Sequence, residues 1–125
     1  MNNNLYDKST IIKELKHTDF VLQDDGKSYL KNVKYLNNPM IIKFYAPWCI
    51  HCKNMSPTLE KLGTKYKSKG LKIGAVNCMK QDINNKVNVD AFPTIFFITS
   101  KGKLKKYNGN VDMNSLSNNV KKIYF

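Results

Sequence analysis

Hydrophobic and polar positions follow one another in blocks whose period changes along the chain. Met40 to Ala46 is a nearly unbroken apolar and aromatic run of strand length. Such a run suits a strand covered on both faces within a parallel sheet, so it is expected at the sheet centre. From Cys49 to about Tyr66 the period becomes helical, with Met55, Leu59, Leu62 and Tyr66 on one side. Pro47 closes the strand ahead of that helix, and Pro57 within it removes a hydrogen bond, which predicts a bend near Asn54. After Gly70, Leu71 to Asn77 predicts a strand and Asp82 to Val87 a short helix. Ile95 to Thr99 and Leu104 to Tyr107, either side of Ser100-Lys101-Gly102-Lys103, predict a hairpin. Asp112 is placed to cap a last helix carrying Met113, Leu116, Val120 and Ile123.

Near the amino end, Asp19 to Leu22 predicts a short strand, and Asp24-Asp25-Gly26 a turn able to cap a helix. That helix is expected to run to about Asn37, with Leu30, Val33 and Leu36 at helical spacing, until Asn37-Asn38-Pro39 stops it. Strands and helices that alternate and then close with a hairpin and a helix predict an α/β sandwich around a mixed sheet. Residues 1–17 are expected to form an N-terminal extension and residues 18–125 one domain.

Length agrees, since 125 residues suit a single domain. With 42% hydrophobic and 24% charged residues, the composition is that of a globular chain rather than a disordered one. Charge changes the picture more: 21 basic residues against 9 acidic give +12, and every basic residue is Lys. Such a surface favours anionic partners. The lysines are scattered, however, and Arg is the better reader of phosphate and guanine, so nucleic acid is not an expected partner. The amino end has no apolar signal-like region, and no run approaches the roughly eighteen apolar residues that span a bilayer. No membrane association and a cytoplasmic setting are therefore expected.

The candidate chemistry lies in Trp48-Cys49-Ile50-His51-Cys52. Three cysteines cannot make a closed disulfide framework, and two of them stand at i and i+3, which points to redox or metal chemistry. Zinc needs four ligands, and beyond the pair only Cys78, His17 and His51 remain, so no metal is expected. Cys78 is expected to be a buried core thiol. On a helix, i and i+3 lie within the Cα separation of roughly 4.4 to 6.8 Å that a disulfide requires. Cys49 at the helix start would face unpaired backbone N–H groups and the positive end of the dipole, which favour the thiolate, the nucleophilic form. Cys52, one turn in, would attack the mixed disulfide from within.

The stretch Phe44-Tyr45-Ala46-Pro47-Trp48-Cys49-Ile50-His51-Cys52-Lys53-Asn54-Met55-Ser56-Pro57, together with Phe92-Pro93-Thr94, resembles the thioredoxin superfamily, and most closely the catalytic domains of its protein disulfide isomerase branch. The resemblance runs from about Phe20 to the end. It implies a thioredoxin fold, a central mixed β-sheet flanked by helices, and protein thiol-disulfide exchange without a prosthetic cofactor. Protein thiols and disulfides would be the substrates, with a reductase or oxidase partner to regenerate one redox state, and the protein would act as a monomer. It further implies a cis bond before Pro93, and a substrate groove shaped by Trp48, Ile50, Phe92, Pro93 and Thr94. His51, between the cysteines, would stabilise the Cys49 thiolate and make the disulfide a better oxidant, nearer the isomerase than the reductase. The richness in Asn, Lys and Ile is similar to that of thioredoxin-like proteins of giant DNA viruses, which implies work in host cytoplasm or a place in the virion.

Two residues depart from the family pattern. Lys43 stands where the family usually keeps a buried acid beneath the cysteines. Pointing inward, it would act on the thiols through its charge or as a neutral amine; alternatively, it snorkels to the sheet edge. Val111 stands where the isomerase branch commonly has an arginine that assists release of Cys52, which argues for electron exchange over efficient reshuffling. A second functional class stays open: a basic binding or structural module that keeps the fold and uses its charge.

Overall fold

The structure, a computed structural model, describes residues 3–32, 34–35 and 37–125. At its centre lies β4 (Met40–Tyr45), every residue of which is buried. Strand side chains alternate between faces. Met40, Ile42 and Phe44 therefore enter one core, with Phe20, Leu30, Val76, Phe96 and Ile98, while Ile41 and Tyr45 enter another, with Leu59, Leu62, Ile73, Phe97 and Leu116. Lys43 shares the face of Ile41 and Tyr45. That parity aims it at the helices rather than at an edge.

Beside β4 run β5 (Lys72–Asn77), in parallel, and β6 (Thr94–Ile98), antiparallel. The sheet is completed by β1 (Ile12–Glu14), parallel to β5, and β7 (Leu104–Lys106), antiparallel to β6, giving the order β1-β5-β4-β6-β7. Two helices, α1 (Ile50–Lys65) and α2 (Met113–Tyr124), lie on one face. Asp112 caps α2, its carboxylate accepting the Ser115 N–H at 2.9 Å. Pro57 lies inside α1. The fold is the α/β thioredoxin fold with a mixed central sheet.

The opposite face departs from expectation. Among the described residues the segment after Asp24-Asp25-Gly26 forms no helix: β2 (Phe20–Leu22) pairs with β3 (Ser28–Leu30) in an antiparallel hairpin. Gly26 takes the left-handed conformation (φ 76) that the tight connection needs. The Leu30 N–H donates to the Gly102 carbonyl at 2.8 Å, and Tyr29 bridges to Lys103, so contact with the β6–β7 turn outweighs local helical spacing. Val33 and Leu36, counted toward that helix, lie outside the described residues. Asp82 to Val87 is likewise a single turn rather than a helix, with the Lys86 and Val87 N–H groups both donating to the Ile83 carbonyl. Ile83 and Val87 are nevertheless buried, as their spacing suggested.

The segment expected as an N-terminal extension supplies β1 and packs closely. A Cβ at Gly63 of α1 would collide with Ile11, and one at Gly74 of β5 with Leu15, so both glycines leave room for it.

Candidate active site

The cysteine pair sits where β4 turns into α1. The Cys49 N–H donates to the Ala46 carbonyl at 3.1 Å, closing the turn, and Cys49 becomes the N-cap in extended conformation (φ −76, ψ 116). An N-cap side chain faces the first free N–H groups of its helix. Here the Cys49 Sγ accepts the Cys52 N–H at 3.2 Å. On its other side the Cys49 thiol approaches the Phe92 carbonyl at 3.7 Å. Both cysteines are thiols, Cys49 retaining 7% exposure and Cys52 none. Of the two residues only Cys49 keeps contact with solvent. Burial pushes the Cys52 thiol up to about 12, its contact with Cys49 adding to the rise and the Lys43 charge opposing it.

The Phe92–Pro93 peptide is cis, and Pro93 and His51 share the wall of a groove of about 520 Å³ with Asn54, Met55, Val111 and Asp112. Trp48 is 62% exposed and meets Phe92 edge to face, with ring centres 6.1 Å apart. Ile50, also exposed, extends the apolar rim, while Thr94 turns inward and donates to the Ala91 carbonyl at 2.6 Å. Cys49, Cys52, His51, Trp48, Ile50, Phe92, Pro93 and Thr94 are therefore brought to one end of the sheet. Cys78, expected to be buried, is half-buried and packs against the core on the other sheet face, where desolvation pushes its thiol up to about 12. Among the described residues, no group of three or more His, Cys, Asp or Glu is placed to hold a metal ion.

Lys43 does not snorkel. It is fully buried, and its Nζ donates to the Cys52 carbonyl and the Tyr6 hydroxyl, both at 2.5 Å. Burial lowers its amine to about 8, against the opposing charges of Cys52, Cys49 and Glu14. Around it the Tyr6 hydroxyl lies 2.7 Å from Ser56 Oγ, and Glu14 accepts from the Tyr45 hydroxyl at 2.5 Å and from the Tyr6 N–H at 3.1 Å. Burial raises Tyr6 to about 12 and pushes Glu14 above the usual carboxylate range. Tyr6, Glu14 and Ser56 were not candidates in the sequence. Tyr6 and Glu14 occupy the stretch ahead of the periodic pattern, and only the parity of Lys43 along β4 hinted that something polar must meet it.

The thioredoxin family model matches residues 20–122. Protein disulfide-isomerase A4 of Rattus norvegicus is 40% identical over 97 residues, covering 74% of this chain and 15% of that protein. Protein disulfide-isomerase of Zea mays is 31% identical over 84 residues, covering 66% of this chain and 16% of that protein. The chain thus spans about a sixth of the length of these relatives. Among solved structures, the J-Trx1 fragment of ERdj5 superposes with a TM-score of 0.73 at 24% identity, covering 98% of this chain and 54% of that one. Fasciola hepatica thioredoxin superposes with a TM-score of 0.61 at 21% identity, covering 72% and 85%. These two likenesses concern the fold.

Proposed function

The chain belongs to the thioredoxin family, and from that membership we propose that it is a protein thiol-disulfide oxidoreductase working through Cys49 and Cys52, closer to an isomerase or oxidase than to a reductase. The observation that carries this is the Cys52 N–H aimed at the Cys49 sulfur from 3.2 Å at the start of α1. A donor so placed stabilises negative charge on sulfur, and the thiolate is the form that attacks. Cys49 bonds to one sulfur of a substrate disulfide and expels the other as a thiolate. Cys52, buried one turn deeper, then bonds to Cys49 and expels the first substrate sulfur. In the reverse direction the cysteine disulfide oxidises a substrate dithiol.

Trp48, Ile50 and Phe92 give the substrate an apolar surface beside the sulfur, and Pro93 and Thr94 shape its edge. His51 places a protonatable ring at the groove, and Lys43 adds positive charge from below; both favour the dithiol and make the disulfide a stronger oxidant. Val111, at the rim, brings no charge to the release of Cys52, which favours single exchange events over repeated reshuffling. Relatives named protein disulfide-isomerases support the same assignment.

Equilibration of the pair against glutathione buffers tests the direction of electron flow. A potential near −180 mV is expected, and one near −270 mV makes the protein a reductase. Cys52→Ser is expected to accumulate a mixed disulfide with substrate, and Cys49→Ser to abolish exchange. Full activity of Cys49→Ser supports the basic binding module instead.

A further inference from the structure

Between α2 and the β6–β7 hairpin runs a second groove. Three adjoining cavities, of about 290, 390 and 250 Å³, make it up. The first two share Ile98, Ser100 and Tyr124 as walls, and the last two share Phe97, Lys105 and Ile123. Its floor is aromatic: Phe97 stacks on Tyr107 and on Tyr124, with ring centres 5.3 and 6.0 Å away. Ile123 stands in the wall with 52% of its surface exposed. Lys105 and Lys106 line the groove as well, and among the described residues around it none is acidic.

This groove leads toward the redox centre. β7 runs antiparallel to β6 and therefore in the direction of β4, so Tyr107, just past its end, lies at the end of the sheet where the cysteines sit. Gly109 closes the groove there, while Val111 and Asp112 belong to the groove beside His51 and Pro93. Two residues of chain, at most ~7 Å, lead from Gly109 to Val111. Tyr107 steadies that strap: its hydroxyl donates to the Asn110 carbonyl, and a Cβ at Gly109 would collide with it.

Resting on the dithiol exchange proposed above, the geometry points to a docking groove for the substrate chain, selecting an extended segment that carries apolar side chains between carboxylates beside the cysteine that reacts at Cys49. The apolar side chains cover Ile123 and the aromatic floor, removing from water a surface the fold leaves bare. The carboxylates meet Lys105 and Lys106 at the edge strand, where nothing acidic from this chain competes for them. A second copy is a poor occupant, because each copy carries a net charge of +12 and the groove itself is basic.

The test is release of thionitrobenzoate from peptides that carry it in disulfide linkage on a single cysteine. Cys49 bonds to the peptide sulfur, and thionitrobenzoate, the better leaving group, departs with the electron pair of the broken S–S bond. Rates are followed against concentration for a short glycine-serine peptide, and for the same peptide extended on either side by glutamate alternating with leucine and phenylalanine. At physiological ionic strength the better extension is expected to lower the half-saturating concentration by ~10-fold, about the worth of covering a half-exposed isoleucine. Ile123→Asp and Lys105→Glu are each expected to shrink that gain by ~5-fold or more. Lys61→Glu, an exposed position on α1 outside the groove, makes the same change of charge as Lys105→Glu and is expected to preserve the gain. No gain from either extension, or an equal loss in Lys61→Glu and Lys105→Glu, overturns the inference. An extension with serine in place of leucine and phenylalanine that works equally well also overturns it, since net charge then suffices. Native protein that sediments as a dimer, dissociated by Ile123→Asp, gives the groove to a second copy and overturns it too. If circular dichroism shows Ile123→Asp unfolded, Lys105→Glu against Lys61→Glu decides. If no peptide releases thionitrobenzoate, the dithiol exchange itself has failed. The groove is then judged by fluorescence anisotropy of the dye-labelled extension: binding that Lys105→Glu weakens and Lys61→Glu does not supports it, and any other result overturns it.

Discussion

Lys43 puts a positive charge under two sulfurs while lying wholly inside the molecule, and the same burial that serves the sulfurs weighs on the fold. Its amine is lowered from 10.5 to about 8, desolvation being the largest cause. Below about pH 8 the side chain is charged in the folded and the unfolded chain alike, and the burial penalty is fully present. Between about 8 and 10.5 the unfolded chain holds a proton that the folded chain has released, so stability rises with pH across that window. At 1.36 kcal/mol per unit the penalty is of order 3 kcal/mol. Lys43→Met removes it, together with two hydrogen bonds worth ~1 kcal/mol each. The stability of Lys43→Met relative to the native protein is therefore expected to fall by up to ~3 kcal/mol between neutral and strongly alkaline pH, as measured by urea unfolding of the disulfide forms, in which neither Cys49 nor Cys52 titrates. A difference that stays flat with pH means that Lys43 is solvated well enough for its burial to be neutral.

The elements legible in the sequence are those whose pattern has one structural meaning. β4, α1, β5, the β6–β7 hairpin and α2 fall within a residue or two of expectation, because continuous apolar runs or helical periods extend over most of each. The segment after Asp24 departs from its helical spacing because a turn of the type Asp-Asp-Gly serves a hairpin as well as a helix cap, and pairing to Gly102 and Lys103, far along the chain, decides for the hairpin. At Asp82 to Val87, i and i+4 burial gave a helical period to a single turn. The site divides in the same way. The cysteine pair and the proline loop are contiguous motifs, whereas the partner of Lys43 is Tyr6, 37 residues away and without periodic neighbours. Docking of that early segment depends on α1 having no side chain at Gly63, where a Cβ would strike Ile11. Gly63→Ala gains ~1 kcal/mol of helix propensity but overpacks the contact by ~1–3 kcal/mol. A net loss of about 1 kcal/mol, with faster amide exchange in β1, is expected from urea unfolding and hydrogen exchange; an unchanged midpoint means slack beneath Ile11.

Across the whole molecule, a net charge of +12 surrounds a redox centre whose rim is apolar and whose groove carries Asp112. Long-range attraction should hasten encounters with acidic substrates, and salt should suppress it, since charges are screened beyond ~10 Å at 0.1 M. Rates of exchange with an acidic disulfide peptide are expected to drop several-fold from low to physiological ionic strength, while those with a neutral peptide hold steady. Parallel salt dependence for both peptides removes steering from the account. The arrangement at the rim carries one more implication. Trp48 is the only tryptophan in the sequence, and it adjoins Cys49 and stands against Phe92. All indole emission from the native chain thus arises beside the sulfur pair, so closing or opening the disulfide registers directly as a change in brightness, and the protein carries its own optical gauge of oxidation without any dye.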